Sequence, residues 1–425
     1  MNRTYLAGLL VCALALPVFS AGQGDQGGKA SRVGNTVITY TTWRSEDRAA
    51  FQVLIEKFQK ENPNITIKYE PSEDATAYYA TLKANLIAGT GPDVFDNHPN
   101  NDFVMWAKEG LLADLSGLDF IKTYAPGPKA MTTVDGRVYG YNHGVNMILF
   151  IYNKEVFKSL GLSIPKNYAD LVATVKKLKE NGYGGIAYCG GDVKSQWLWH
   201  ALAIEEMGAE SYKALIEGID KGQITTVKDN KIFYETLKTL SRYAKDQLFY
   251  DSFASIKYPQ ALSLFAQKKA AIMMMGTWTF GSKDIDYPGI DQGIFALPTQ
   301  SQANIAYAEA AQISLVNAKS KNVEAAKKWV NFMATPENSS IYITKTKMTP
   351  TVMGVKADFP SSDILIEQMK KGMVVQPIWY SPNKDLWDSS YWAMSENILF
   401  NGADVDSEVA VFEAALKKAD IKNKK

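Results

Sequence analysis

The chain has 425 residues, with 46 lysines and arginines against 45 aspartates and glutamates, a formal charge of +1, and 46% apolar and 12% aromatic residues. That balance gives no electrostatic reason to expect nucleic acid or an anionic membrane as partner, and the apolar content is that of a packed protein, not a disordered one. A chain this long exceeds what one core sustains, so about two lobes are expected.

Arg3, the apolar run LAGLLVCALAL at 6–16 and the small residues of PVFSAG read as a secretory signal peptide over 1–20, cut after Ser20 with Val18 at the −3 position. The run is too short to span a bilayer, and no other stretch approaches that length, so the mature chain is expected to be exported, periplasmic or cell-surface associated. Cleavage removes Arg3 and leaves basic and acidic residues in equal number. It also removes Cys12, so Cys189 stands alone without a disulfide framework or a cysteine metal site. Lipidation at Cys12 is the lesser alternative, because Val11 precedes it where a small residue is usual. AGQGDQGGKASRVGN (21–35) reads as a flexible leader.

Order begins at TVITYT (36–41), a β-branched run typical of a buried strand. Phe51, Leu54, Ile55 and Phe58 then recur at helical spacing, with Ser45 available as N-cap and Asn62-Pro63 as the stop. ITIKYEP (65–71) is the next strand, and Tyr78, Leu82 and Leu86 stripe a second helix that GTGP (89–92) ends. Strand and helix alternating at this spacing predict a mostly parallel sheet. Further on, Leu171, Val172, Val175 and Leu178 stripe a helix, followed by a strand at GIAYCG (185–190). Another helix carries Phe233, Leu237, Leu240 and Ala244. AAIMMMG (270–276) and GIFALP (293–298) read as strands. Val323, Ala326, Val330 and Met333 mark one more helix, and Val405, Val409, Phe412 and Leu416 the last.

Five fragments carry a resemblance: IEKFQKENPNITIKYEPS, AGTGPDVF, DGRVYGYNHGVNMILFIYNKEVFKSLGL, FAQKKAAIMMMGTW and AAKKWVNFMATPENSSIYI. In this order they resemble the sugar-binding proteins of ABC importers, family 1 of the extracellular solute-binding proteins, over nearly all of 36–420. The resemblance implies a type II periplasmic-binding-protein fold: two discontinuous α/β lobes with a ligand cleft between them. Lobe one is expected at 36–142 with 284–336, and lobe two at 146–281 with 339–425. The implied function is capture of a mono- or oligosaccharide by a monomer without cofactor or metal. Delivery would be to an integral-membrane permease driven by a separate ATPase, since no phosphate-binding loop is present. One departure is YAEAAQISLV (307–316), where Glu309-Ala310-Ala311 stands in place of the Gly-Gly-rich turn of many relatives.

Open α/β sheets bind ligands beyond the carboxyl ends of their strands. A sugar needs an aromatic ring for its C–H face and amides, carboxylates or arginine for its hydroxyls. Trp278 lies two residues past AIMMMG, where the resemblance implies a sugar-stacking tryptophan; packing at the top of the core is the alternative. Trp43 and Arg44 follow TVITYT, with helix-start packing as their alternative. In DVFDNHPNND (93–102), Asp96 and Asn97 are hydroxyl candidates, Asp93 a turn or cap residue and His98 a bystander. Asn146 in the hinge stretch YGYNHGVNM is a candidate, while Tyr141 and Asn142 can serve hinge backbone groups. Glu309 is a candidate, as are Trp379 and Trp387, which flank Ser381-Pro382-Asn383; Trp197, Trp199 and Trp392 are weighed as core.

An exported glycoside hydrolase is the competing class. Three histidines without HExxH, and no GxSxG, give it no support. The GxGxxA match at 182–187 precedes a strand instead of following one, and Glu205-Glu206, Asp404 and Asp406 read as solvated surface. A polyamine or peptide carrier is the third reading, with Asp96, Glu309 and Trp278 able to serve a cation.

Overall fold

The computed structural model describes residues 35–280, 290–299, 307–356, 381 and 383–419. The expected signal peptide, nearly all of the leader and Trp379 lie outside the described residues. The strands are β1 (Thr36–Thr42), β2 (Ile65–Pro71), β3 (Val94–Asn97), β4 (Thr133–Val134), β5 (Arg137–Val138), β6 (Gly140–Asn142), β7 (Val145–Asn153), β8 (Ile272–Gly276), β9 (Gln292–Phe295), β10 (Tyr307–Ala310) and β11 (Ile313–Val316).

They form two main sheets. The first has the order β2-β1-β3-β11-β6; in the second, β7 pairs with β10, β8 and β9. The parallel pattern expected from the alternating spacing holds for β1 with β2 and with β3. It fails for β11, which is antiparallel to both β3 and β6. It fails throughout the second sheet, where β7 meets each partner antiparallel. The strand β11 arrives from the other sheet and not through a local helical crossover, so nothing forces it to run with its neighbours.

Helix α1 (Arg48–Glu61) buries Ala50, Phe51, Leu54 and Phe58 on one face. Phe51, Leu54 and Phe58 are each fully buried, worth roughly 1.5–3 kcal/mol apiece. Ser45 does not cap it: Ser45–Asp47 forms a short 3-10 turn, and Asp47 occupies the N-cap without a capping side-chain bond. Helix α2 (Ala75–Ala88) starts on Asp74, which accepts from the Ala77 amide, and stops at Gly89, whose φ of 74° suits glycine. Asp93, expected as a turn or cap residue, instead ties the loop before β3 to β1, accepting from the Thr39 amide at 2.7 Å and its hydroxyl at 3.0 Å.

The sheets move the expected lobe boundaries. The strands β9 and β10, expected in lobe one, hydrogen-bond to β7 in the second sheet. Tyr342, Ile343, Met348 and Val352, expected in lobe two, pack into the first sheet's core with Phe51, Leu54 and Trp329. The segment 185–190 makes only isolated bridges, Ile186 to Phe249 and Ala187 to Met273, and not the strand its composition suggested. Glu205 is also unlike its expectation: it is 1% exposed on the helix Gln196–Met207, not on a solvated surface.

Extended stretches join the two sheets side by side. The His143 amide donates to the Gln312 carbonyl at 3.2 Å, and the Ala311 amide to Gly144 at 2.9 Å. Val145 and Thr349 exchange amide-to-carbonyl bonds of 3.0 and 3.2 Å. These backbone ladders place the ends of β7, β8 and β10 at the seam between the lobes.

Candidate functional site

The seam end of the second sheet brings three expected residues into one row. Glu309 on β10 lies directly opposite Asn146 on β7, so the two side chains share a face. Gly276, the end of β8, lies opposite Ile148. The ladder continues one residue further, because the Thr277 amide donates to the Met147 carbonyl at 3.0 Å and the Met147 amide to Thr277 Oγ1 at 3.1 Å. The next residue along is Trp278. Three segments far apart in sequence thus bring Trp278, Asn146 and Glu309 to one end of this sheet.

The indole of Trp278 lies over Gly276, where a Cβ would fall 1.8 Å from the ring. Glycine at 276 is therefore what lets the ring lie on the sheet. Trp278 is partly buried, its Nε1 donates to Tyr258 Oη at 3.0 Å, and Trp197 packs edge-on at 5.4 Å. With the N–H occupied, what the partly buried ring has left to offer is apolar surface, which suits a C–H face and not a polar group.

Asn146 is 3% exposed, and its Oδ1 has no hydrogen-bond partner among the described residues. Glu309 is half-buried and accepts from Tyr307 Oη at 3.2 Å. Desolvation pushes its carboxyl up to about 7, against opposing help from the Tyr307 bond and the charge of Arg44. A buried acceptor beside a desolvated carboxyl is an arrangement completed by donors from outside.

On the first sheet, Trp43 is half-exposed at the end of β1, among Tyr79 at 5.3 Å, Tyr78 at 6.0 Å and His98 at 4.6 Å. His98, expected to be a bystander, is part of this aromatic group, and burial holds its pKa down at about 4. It therefore acts there as a neutral ring.

Four other expected contacts are committed to the interior. Arg44, 8% exposed, bonds Asp47 through Nε at 2.6 Å and Nη2 at 3.3 Å. Burial works against its charge, but Asp47, with Tyr342 and Glu46, outweighs that and raises its pKa. Asp47 also accepts from Tyr342 Oη at 2.5 Å and Gln312 Nε2 at 3.2 Å. Asp96 is fully buried, because β3 is flanked on both sides. It accepts from Tyr40 Oη at 2.9 Å and Ser314 Oγ at 2.5 Å, and His143 Nε2 lies 2.7 Å from that Oγ. Desolvation raises the Asp96 carboxyl to about 7 and lowers His143 to about 3. Asn97, 1% exposed, donates to Asn100, the N-cap of the helix Asn101–Lys108. Trp387, 1% exposed, donates to Ser381 Oγ at 2.6 Å and Asp220 Oδ1 at 3.0 Å in the second core. Each of the four is held by hydrogen bonds within the protein.

Trp197, Tyr258 and Tyr79 join the site without having been singled out for it. The pair Tyr78-Tyr79 carried a usable signal: on an amphipathic helix only one of two successive tyrosines can face the core. Tyr258 had none, since its role depends on where Trp278 points. Hollow size does not locate the site either: one hollow of about 620 Å3, lined by Tyr152, Lys154, Phe157 and Asp291, lies at the opposite end of β7. Among the described residues no group of three or more His, Cys, Asp or Glu could hold a metal ion.

Residues 42–339 match the sequence profile of the bacterial extracellular solute-binding proteins. The multiple sugar-binding protein of Streptococcus mutans is 27% identical over 331 residues, covering 77% of this chain and 78% of that one. The melibiose/raffinose/stachyose-binding protein of Bacillus subtilis is 25% identical over 409 residues, 91% and 90% of the two chains. Among solved structures, apo RafE of Streptococcus pneumoniae superposes with a TM-score of 0.77 at 20% identity, covering 94% of this chain and all of that one. RafE in complex with raffinose gives 0.74 at 20% identity over 92% of this chain and all of that one. The two-lobed type II fold is shared.

Proposed function

Since this chain belongs to the family of bacterial extracellular solute-binding proteins, we propose that it captures a mono- or oligosaccharide between its lobes and delivers it to an ABC import permease powered by a separate ATPase. The observation that carries this reading is the row Trp278–Asn146–Glu309, which offers an aromatic face beside two acceptors at the seam. Relatives that bind multiple sugars, or melibiose, raffinose and stachyose, support the ligand class.

Lobe one is built from 36–143 and 311–352, and the rest of the described chain forms lobe two. Ligand settles on the lobe-two row, and closure about the seam brings the Trp43 group over it. Burying the sugar strengthens each hydrogen bond by excluding water. The chain binds without catalysis, acts as a monomer and is exported by the signal at 1–20.

A thermal-shift screen against melibiose, raffinose, stachyose and maltotriose, with spermidine and a tripeptide as controls, tests the reading. A sugar at 100 times its Kd adds about 2.7 kcal/mol, a shift of several degrees. The sugar should be recovered intact. A sugar consumed in the assay would make the protein a hydrolase, and stabilisation by spermidine or peptide alone would overturn the ligand class.

A further inference from the structure

Asn146 and Glu309 are both acceptors, they share one face of the sheet, and the Asn146 amide oxygen is buried without a partner among the described residues. Resting on the sugar-capture reading above, we propose that this pair is a two-acceptor subsite that selects a neutral sugar by two neighbouring ring hydroxyls, one donating to Asn146 Oδ1 and the other to the Glu309 carboxylate. The ring that bears this diol is also the one that reaches Trp278, whose indole lies over Gly276, opposite Ile148, the next same-face position along β7 from Asn146.

The surroundings favour hydroxyls over an ammonium group. Arg44 reaches Glu309 from the first lobe with its positive charge, and is itself held by Asp47 and Glu46. A second cation beside Glu309 would be repelled by it. On its own strand Glu309 meets Tyr307, whose ring packs against His200 of the helix Gln196–Met207 at 5.5 Å. Tyr307 and Arg44 are the two groups that act on the carboxyl, and the helix packed behind β10 carries His200, Glu205 and Glu206. A diol brings two donors and no charge, satisfies the orphaned amide oxygen and leaves the Arg44 pairing undisturbed.

Deprotonation of Glu309 makes it a stronger acceptor, so affinity should rise between pH 6 and pH 8. The first arm measures raffinose or melibiose binding by calorimetry across that range. Asn146→Leu should weaken binding roughly 10- to 100-fold, and Glu309→Gln should weaken it and flatten the pH profile. Unchanged affinity in Asn146→Leu, or a surviving pH slope in Glu309→Gln, overturns the subsite, as does binding of spermidine at the native pair.

The second arm needs no ligand. Deleting an unpartnered buried oxygen should leave the melting temperature of Asn146→Leu at or above the native value. The Glu309 carboxyl is raised in the folded state, so its contribution to stability is present at low pH and lost as pH rises through about 7. The melting temperature of Glu309→Gln relative to native should therefore climb from pH 5 to pH 8. If none of melibiose, raffinose, stachyose and maltotriose binds, the sugar reading fails and the diol assignment with it, and this arm then decides only whether the pair is an unfilled pair of acceptors. Both responses support it, and a destabilised Asn146→Leu or a flat Glu309→Gln difference overturns it.

Discussion

Asp47 holds together more of the seam than any expected ligand contact does. It is 3% exposed and receives Arg44 Nε at 2.6 Å, Arg44 Nη2 at 3.3 Å, Tyr342 Oη at 2.5 Å and Gln312 Nε2 at 3.2 Å. Asp47→Ala would leave Arg44 buried, with only the Glu46 carboxylate at 3.3 Å, whose side chain is 61% exposed. Removing one partner of a buried pair costs about 3–5 kcal/mol, since the other charge stays desolvated and unpaired. Replacing both by apolar groups of similar size removes that penalty, so Arg44→Met with Asp47→Leu should cost far less than the two single changes summed. The coupling should reach about 2 kcal/mol. Equilibrium urea unfolding of the native protein, each single variant and the double variant, followed by far-UV circular dichroism, measures it. Additive losses, or a cost below about 1 kcal/mol for Asp47→Ala, would falsify the buried-pair account and return Arg44 to the list of ligand contacts.

Three further outcomes are expected. Gly276→Ala should push the indole off the sheet, and sugar affinity should fall toward that of Trp278→Ala, a loss of about 1–3 kcal/mol, while the double variant loses little more; calorimetry on the three proteins checks this, and full additivity would separate the two positions. Asp96 is raised from 3.8 to about 7, so its carboxylate costs stability as pH climbs through that range, up to roughly 4 kcal/mol. The stability of Asp96→Asn relative to native should therefore improve from pH 5 to pH 8, and a flat difference in urea midpoints would contradict the burial argument. Trp387→Phe removes the indole bonds to Ser381 and Asp220, which keep each other and Asn383 as partners, and should cost about 0.5–1.5 kcal/mol of stability with sugar affinity unchanged; lost affinity would mean that the ring touches ligand after all.

What was legible in the sequence depended on whether a residue's role is local. The helices striped by Leu171–Leu178, Phe233–Ala244 and Val405–Leu416 stand where periodicity put them, because one apolar face dictates each. The strands at 36–42, 65–71 and 272–276 follow from their β-branched or apolar runs. Which sheet receives β9 and β10 is decided by partners more than a hundred residues away, and spacing carries no trace of that. The same limit separates Asn146 and Glu309 from Asp96. All three are polar residues on strands. Asp96 sits on a strand enclosed by β1 and β11 and is consumed by Tyr40 and Ser314. The other two meet at the seam, where the chain brings no donor to Asn146 Oδ1 among the described residues. Trp387 and Trp278 look alike as tryptophans near loop signals, and only the glycine beneath Trp278 separates them.

The position of β11 has a consequence for the order in which the protein can be made. This strand, residues 313–316, fills the gap between β3 and β6, which are themselves finished by residue 142. A chain emerging from the ribosome therefore carries two fragments of the first sheet, with the strand between them still unsynthesised, for some 170 residues. Its core then waits further for Tyr342, Met348 and Val352. Such pairing makes folding slow and late, and a chain that cannot finish its first lobe early stays threadable through a narrow pore for longer. A nascent chain arrested before residue 313 should remain as protease-sensitive in its first 142 residues as an unfolded one.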